Sequence, residues 1–168
     1  MGAKVADLDR ALTFYCGVLG FHVTQRMGNS AAFISVGGYH HHIGLNTWES
    51  RGGAPPPSGS TGLYHLAIVY PLRANLADGL RRLIAAGIQL DGASDHGVSE
   101  ALYLRDPDQN GVELYWDRPR ALWPHEANGG LAMYTRPLDL RRLLAEIEPV
   151  LSASNEAPGD VSEGPRDL

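Results

Sequence analysis

Two residues of this chain, His65 and Glu113, combine metal-ligand chemistry with a setting that demands a partner. His65 falls in the apolar run 63–70 and Glu113 in the run 112–116, and both runs read as β-strands from their length and their β-branched and aromatic content. A lone strand histidine is ordinarily a neutral ring satisfied by a carbonyl. A carboxylate is different, because an unpaired charge inside a sheet is strongly destabilising unless a cation offsets it. The stretch Asn110-Gly111-Val112-Glu113-Leu114-Tyr115-Trp116 offers no Lys or Arg. A divalent metal shared by Glu113 and His65 answers both needs.

Three consecutive histidines, His40-His41-His42, lie in the apolar run 39–47, which reads as the last strand of an earlier repeat. Alternation sends His40 and His42 to one face and His41 to the other, so His40 and His42 are candidate ligands if that face looks into a shared cavity. Asp95-His96-Gly97 reads as a loop, where His96 is free to act as acid or base on a ligand. Tyr103, among Leu102 and Leu104, reads from alternation as packing. The run 106–111, Asp-Pro-Asp-Gln-Asn-Gly, is a turn that aims the strand of Glu113.

The elements that position these residues repeat. Leu8, Ala11, Leu12, Tyr15 and Leu19 predict a helix over 7–19 that Gly20 stops, followed by strands at 21–25, 31–36 and 39–47. Residues 51–61, with three prolines and three glycines, form a linker. A strand at 63–70 follows, then a helix marked by Leu76, Leu80, Leu83 and Ile84 and stopped by Gly87, then strands at 88–90, 101–105 and 112–116. The order strand, helix, three strands thus occurs twice, with the opening strand of the first copy missing or clipped. The organisation is an α+β domain over 1–119, made of module one (1–50), the linker and module two (62–119). A docking segment with a helix is expected over 120–151, and a disordered tail over 152–168.

The 168 residues and 43% hydrophobic content suffice for one core. A net charge of −5 without basic runs gives no footprint for nucleic acid or an anionic membrane. The single cysteine, Cys16, excludes a disulfide framework and reads as packing. No apolar stretch spans a bilayer, so the expected location is the cytoplasm.

The segment Asp95-His96-Gly97-Val98-Ser99-Glu100-Ala101-Leu102-Tyr103-Leu104, with Asp106-Pro107-Asp108 and Val112-Glu113-Leu114-Tyr115, resembles the signature of two-domain bacterial catechol 2,3-dioxygenases, in particular their N-terminal half. These belong to the vicinal oxygen chelate superfamily, whose paired βαβββ modules form an incomplete barrel. Asp9-Arg10-Ala11-Leu12 through Leu19-Gly20-Phe21 is similar to their first helix, and Thr61-Gly62-Leu63-Tyr64-His65 to their second-module opening strand. The resemblance covers about residues 4–147 and implies an extradiol ring-cleaving dioxygenase acting on a catechol-type vicinal diol. In that family two histidines and a glutamate hold iron(II), or alternatively manganese(II). His65 and Glu113 match the second histidine and the glutamate, while the first histidine falls at or just before Gly2, which leaves three readings: a start upstream of Met1, substitution by His40 or His42, or a degenerate metal site. Tyr103, ten residues before Glu113, matches a substrate-bonding tyrosine, and His96 resembles the active-site acid or base. The expected partners are a small-molecule substrate and a second copy in a homodimer. The chain departs from the family in having two modules where the classical enzymes have four. Alternatives on the same scaffold are a metal-free binding or resistance protein and a glyoxalase-like isomerase. The isomerase would usually need two carboxylates, whereas module one carries no acidic residue on its last strand before Glu49.

Overall fold

The computed structural model describes residues 1–147. Sheet one contains β1 (Gly2–Lys4), β2 (His22–Met27), β3 (Ala31–Ser35) and β4 (Ile43–Asn46) in the order β1-β4-β3-β2. Sheet two contains β5 (Leu66–Val69), β6 (Leu90–Asp95), β7 (Ser99–Arg105), β8 (Gly111–Asp117) and the short β9 (Arg136–Pro137), ordered β5-β8-β7-β6-β9. In each sheet the opening strand runs parallel to the fourth and the other three strands of the module form an antiparallel meander. Both second strands also bulge, between Val23 and Gln25 and between Leu90 and Gly92. The duplication is therefore visible down to its irregularities, and the two sheets leave an incomplete barrel rather than a closed one.

Helix α1 (Leu8–Leu12) starts where the Asp7 side chain accepts the Arg10 N–H at 2.9 Å. It continues as a wider turn over Thr13–Val18 and stops at Gly20, whose φ of +86° a side chain would resist. Helix α2 (Arg73–Ala85) buries Leu76, Leu80 and Leu83 of the expected stripe, while Ile84, the fourth marker, is exposed. Cys16 is half-buried, and burial pushes its thiol pKa up, which suits packing rather than reactivity. A single core joins both modules, from Leu8 and Tyr15 through Ile34 and Leu45 to Leu80, Leu102 and Leu114.

Several boundaries differ from the sequence reading. The first module's opening strand is present: Gly2–Lys4 pairs with β4 over three positions. His40, His41 and His42 are not on the last strand, because Gly37 (φ +66°) and Gly38 (φ +79°) turn the chain out of the ladder and β4 begins only at Ile43. Thr24 Oγ1 donates to the His40 carbonyl at 2.7 Å, tying that loop to β2. His65 precedes β5 by one residue rather than lying within it, and β6 extends through Asp95, leaving only residues 96–98 as the turn.

The turn over 106–110 joins the modules. Buried Asp106 accepts the Tyr15 hydroxyl at 3.0 Å, and Asp108 Oδ1 accepts the Ala6 N–H at 3.0 Å and the Arg10 guanidinium at 2.6 Å. Helix α3 (Leu140–Leu144), capped by Asp139, buries Leu143 in the same core and packs on α2. The described part of the docking segment, up to residue 147, therefore seats on module two through β9 and α3. The tail expected over 152–168 lies outside the described residues. No helix among the described residues is long and apolar enough to cross a membrane.

Candidate functional site

On β7 and β8 the residues facing α2 are buried and apolar: Leu102, Leu104, Val112 and Leu114. Period-two alternation puts Tyr103 and Glu113 on the opposite face, and the antiparallel register sets them directly opposite each other. On the other side of β8, Ala67 of β5 pairs with Glu113, so that His65, two residues earlier, reaches the same carboxylate. His65 Nε2 lies 2.9 Å from Glu113 Oε2, and the His65 and Tyr103 ring centroids are 5.8 Å apart.

Gly111 makes this approach possible. A Cβ at Gly111 would collide with the Tyr64 carbonyl oxygen and stand 3.1 Å from His65 Cα, so only glycine lets the start of β5 come so near β8. Sequence alone assigned Gly111 to a turn, whereas its task is this close approach. Gly111→Ala is expected to destabilise the chain by roughly 1–3 kcal/mol through overpacking and to displace His65 from Glu113. Thermal melting together with metal affinity checks both effects.

Tyr103 extends the cluster. Burial first, and the charge of Glu113 next, push its pKa up to about 12, so at neutral pH it is a phenol with a proton to donate. Its hydroxyl lies 2.9 Å from His96 Nε2. On the far side of the ring, His96 Nδ1 is 3.1 Å from the Tyr134 carbonyl and 3.2 Å from Thr135 Oγ1. Sequence reasoning missed Tyr134 and Thr135, because nothing in a chain separation of nearly forty residues signals that a backbone carbonyl will end there. Asp95 shapes the turn, its Oδ1 accepting the Gly97 N–H at 2.8 Å and its Oδ2 the Arg118 guanidinium at 2.9 Å.

His65, Glu113, Tyr103 and His96 are thus brought together, and His40 and His42 are not. His40 Nδ1 sits 2.7 Å from His41 Nδ1, and His42 Nδ1 sits 2.9 Å from Ser35 Oγ. Among the described residues no three His, Cys, Asp or Glu side chains converge as a metal site. The pair itself suits a divalent cation. An imidazole nitrogen and a carboxylate oxygen 2.9 Å apart match adjacent corners of a coordination sphere with bonds of about 2.1 Å, which lie about 3 Å apart. The cleft of about 720 Å³ where Met1, Gly2 and Lys4 meet Leu63, Leu66 and Gly111 is lined by none of His65, Glu113, Tyr103 and His96.

Module one has a different equivalent site. Phe33 stands opposite Gly44 as Tyr103 does opposite Glu113, and Gly2 pairs with Gly44 as Ala67 pairs with Glu113. The counterpart of His65 then falls one residue ahead of Met1. Glu49, the nearest acid beyond β4, is exposed and paired with Lys4 at 2.6 Å.

This fold agrees with the relatives. The sequence profile of the "Glyoxalase/Bleomycin resistance protein/Dioxygenase superfamily" matches residues 2–114. The chain belongs to that superfamily. Within it, the catechol-2,3-dioxygenase of Bacillus subtilis (strain 168) is 43% identical over 143 residues, covering 84% of this chain and 49% of that protein. Biphenyl-2,3-diol 1,2-dioxygenase 3 of Rhodococcus globerulus is 36% identical over 112 residues, 66% of this chain and 58% of that one. A probable lactoylglutathione lyase of Synechocystis sp. is 24% identical and is covered to 88% of its length, against 66% of this chain. This superfamily member spans about half the length of the dioxygenase relatives it matches. Among solved structures, a glyoxalase/dioxygenase from Nostoc punctiforme aligns with TM-score 0.60 at 17% identity, covering 71% of this chain and 89% of that one. A superfamily domain from Frankia sp. EAN1pec aligns with TM-score 0.59 at 23% identity, covering 71% and 90%. These two likenesses concern the fold.

Proposed function

We propose that this chain acts as an extradiol-type ring-cleaving dioxygenase on a catechol-type vicinal diol, with His65 and Glu113 holding a divalent metal, iron(II) ahead of manganese(II). The observation that carries the reading is the continuous polar face His65–Glu113–Tyr103–His96, in which a two-ligand pair and a proton-handling pair share one sheet surface. The dioxygenases at 43% and 36% identity support it. A metal bound there would supply the Lewis-acid and redox capacity for joining dioxygen to the diol. The protein's own residues do the rest. Tyr103, still protonated at neutral pH, donates a hydrogen bond to a diol oxygen. His96 Nε2, which faces the phenol, takes up a diol proton and later returns it.

His96→Ala is expected to keep the metal and to lose about 100-fold or more in turnover, the usual contribution of a positioned acid or base. Oxygen uptake with catechol, measured alongside metal content, checks this. The same assay tests the function itself: a fully metal-loaded chain that consumes no oxygen with any vicinal diol overturns it. The alternative reading is a metal-free small-molecule binder, favoured by the count of two ligands among the described residues. A chain that takes up no iron or manganese but binds an aromatic ligand supports that alternative. An isomerase has less support, since Gly44 stands where a second carboxylate would be needed.

A further inference from the structure

The segment after β8 wraps the turn that carries His96. β9 pairs Pro137 with Ser94 and Arg136 with Asp95, and the Leu138 N–H donates to the Ala93 carbonyl at 3.2 Å. The Tyr134 N–H donates to the His96 carbonyl at 3.3 Å, while the Tyr134 carbonyl lies 3.1 Å from His96 Nδ1, a reciprocal pairing of the two residues. The Arg136 guanidinium sits 4.1 Å over the Tyr134 ring. Beneath that ring lies Gly97, with φ +78°. A Cβ there would be 2.7 Å from Tyr134 Cε1 and 2.9 Å from Pro124 Cγ, so strap and turn touch where only glycine fits.

We propose that residues 124–138 act as a positioning strap that fixes the protonation geometry of His96: the Tyr134 carbonyl holds the ring proton on Nδ1, and Nε2 is left as the acceptor facing Tyr103. Donor and acceptor counts at the two ring nitrogens decide the tautomer. A neutral imidazole has one N–H and one lone pair, and a carbonyl can only accept. With the Tyr134 oxygen beside Nδ1, the proton must be on that nitrogen, since two lone pairs at 3.1 Å would repel. Thr135 Oγ1, at 3.2 Å, can donate or accept and decides nothing. Nε2 is then the ring's lone pair, and in the substrate-free chain it faces the Tyr103 hydroxyl at 2.9 Å. The consequence for turnover rests on the dioxygenase reading, whereas the tautomer does not.

Nitrogen NMR of the metal-free full chain with labelled histidine, at a pH where the ring is neutral, reads this directly, with the His96 signals assigned by their loss in His96→Gln. A pyrrole-type Nδ1 and a pyridine-type Nε2 are expected. Tyr134→Ala removes the ring that seats on Gly97 and under Arg136, and Gly97→Ala wedges the strap outward. Each is expected to replace the single-tautomer signature by an exchange-averaged one. A wild-type proton on Nε2 overturns the proposal. So does an unchanged Nδ1–H signature in a variant whose amides at positions 134 and 138, the ones bonded to the His96 and Ala93 carbonyls, have lost hydrogen-exchange protection. Should Gly97→Ala not fold, wild type and Tyr134→Ala still decide. If the dioxygenase reading also holds, iron-loaded Tyr134→Ala shows lower turnover at unchanged metal content. Absence of turnover in the wild type counts against that reading while leaving the tautomer result intact.

Discussion

Glu113→Gln is expected to lower affinity for iron(II) or manganese(II) by more than the roughly 100-fold that loss of an outer-shell partner produces, with the fold retained. The substitution keeps the shape of the side chain and removes its charge and one acceptor oxygen. What it removes is half of the two-residue ligand pair, the oxygen that faces His65 Nε2 at 2.9 Å. The sheet tolerates it, because Glu113 points away from the core formed by Val112 and Leu114. Elemental analysis after anaerobic reconstitution, with circular dichroism as the control for folding, measures both halves of the expectation. Equal metal stoichiometry and affinity in the variant would remove Glu113 from the ligand set. The parallel change His40→Ala should leave metal affinity unaltered, since His40 lies in the loop before β4 and faces His41.

Asp106→Ala should be the most destabilising single change away from the site, by roughly 3–5 kcal/mol. Its carboxylate is 1% exposed and accepts four hydrogen bonds: from the Tyr15 hydroxyl, the Asp108 N–H, the Asn110 N–H and the Asn110 side-chain amide, at 2.8 to 3.0 Å. Alanine leaves those donors without partners, among them the hydroxyl of fully buried Tyr15, and buried donors that lose an acceptor are more costly than a net hydrogen bond is stabilising. The same carboxylate, with burial acting first, pushes the Tyr15 pKa far up, so that tyrosine stays a donor. The two modules also meet at this turn. An exposed ion pair gives the scale for comparison: Asp91→Ala, which breaks the contact to Arg105 at 2.7 Å, should cost under about 1 kcal/mol. Denaturant midpoints of the two variants separate the cases. A midpoint for Asp106→Ala as mild as that of Asp91→Ala would mean the turn does not hold the modules together.

Much of this was legible in the residues. Helix α2 declared itself through Leu76, Leu80 and Leu83, and the duplication through two runs of the same pattern of glycine stops and short apolar strands, because period and breaker residues are local properties. Glu113 and His65 stood out because a carboxylate and an imidazole in apolar strands need partners whatever the fold. The resemblance to dioxygenases then assigned Tyr103 a role that periodicity had not, since alternation alone reads Tyr103 as core, and it added to the acid-or-base reading His96 already had from its loop.

Other features depended on contacts distant in sequence. Alternation along 39–47 treated three histidines as strand residues, but two consecutive glycines in the left-handed region end the ladder there, and the face they would have shared does not exist. Whether Phe33 and Gly44 answer Tyr103 and Glu113 is a matter of register, which depends on hydrogen bonds across strands. Gly111 looked like a turn glycine until the Tyr64 carbonyl was seen beside it. The Tyr134 carbonyl at His96 is the clearest case. Every residue has such a group, so composition and spacing say nothing about where one will point. By itself, the sequence determined which side chains could do chemistry and on which elements they ride. Only the tertiary structure decided which of them meet, because their convergence depends on strand register and on close backbone approach, neither of which is written in any one segment.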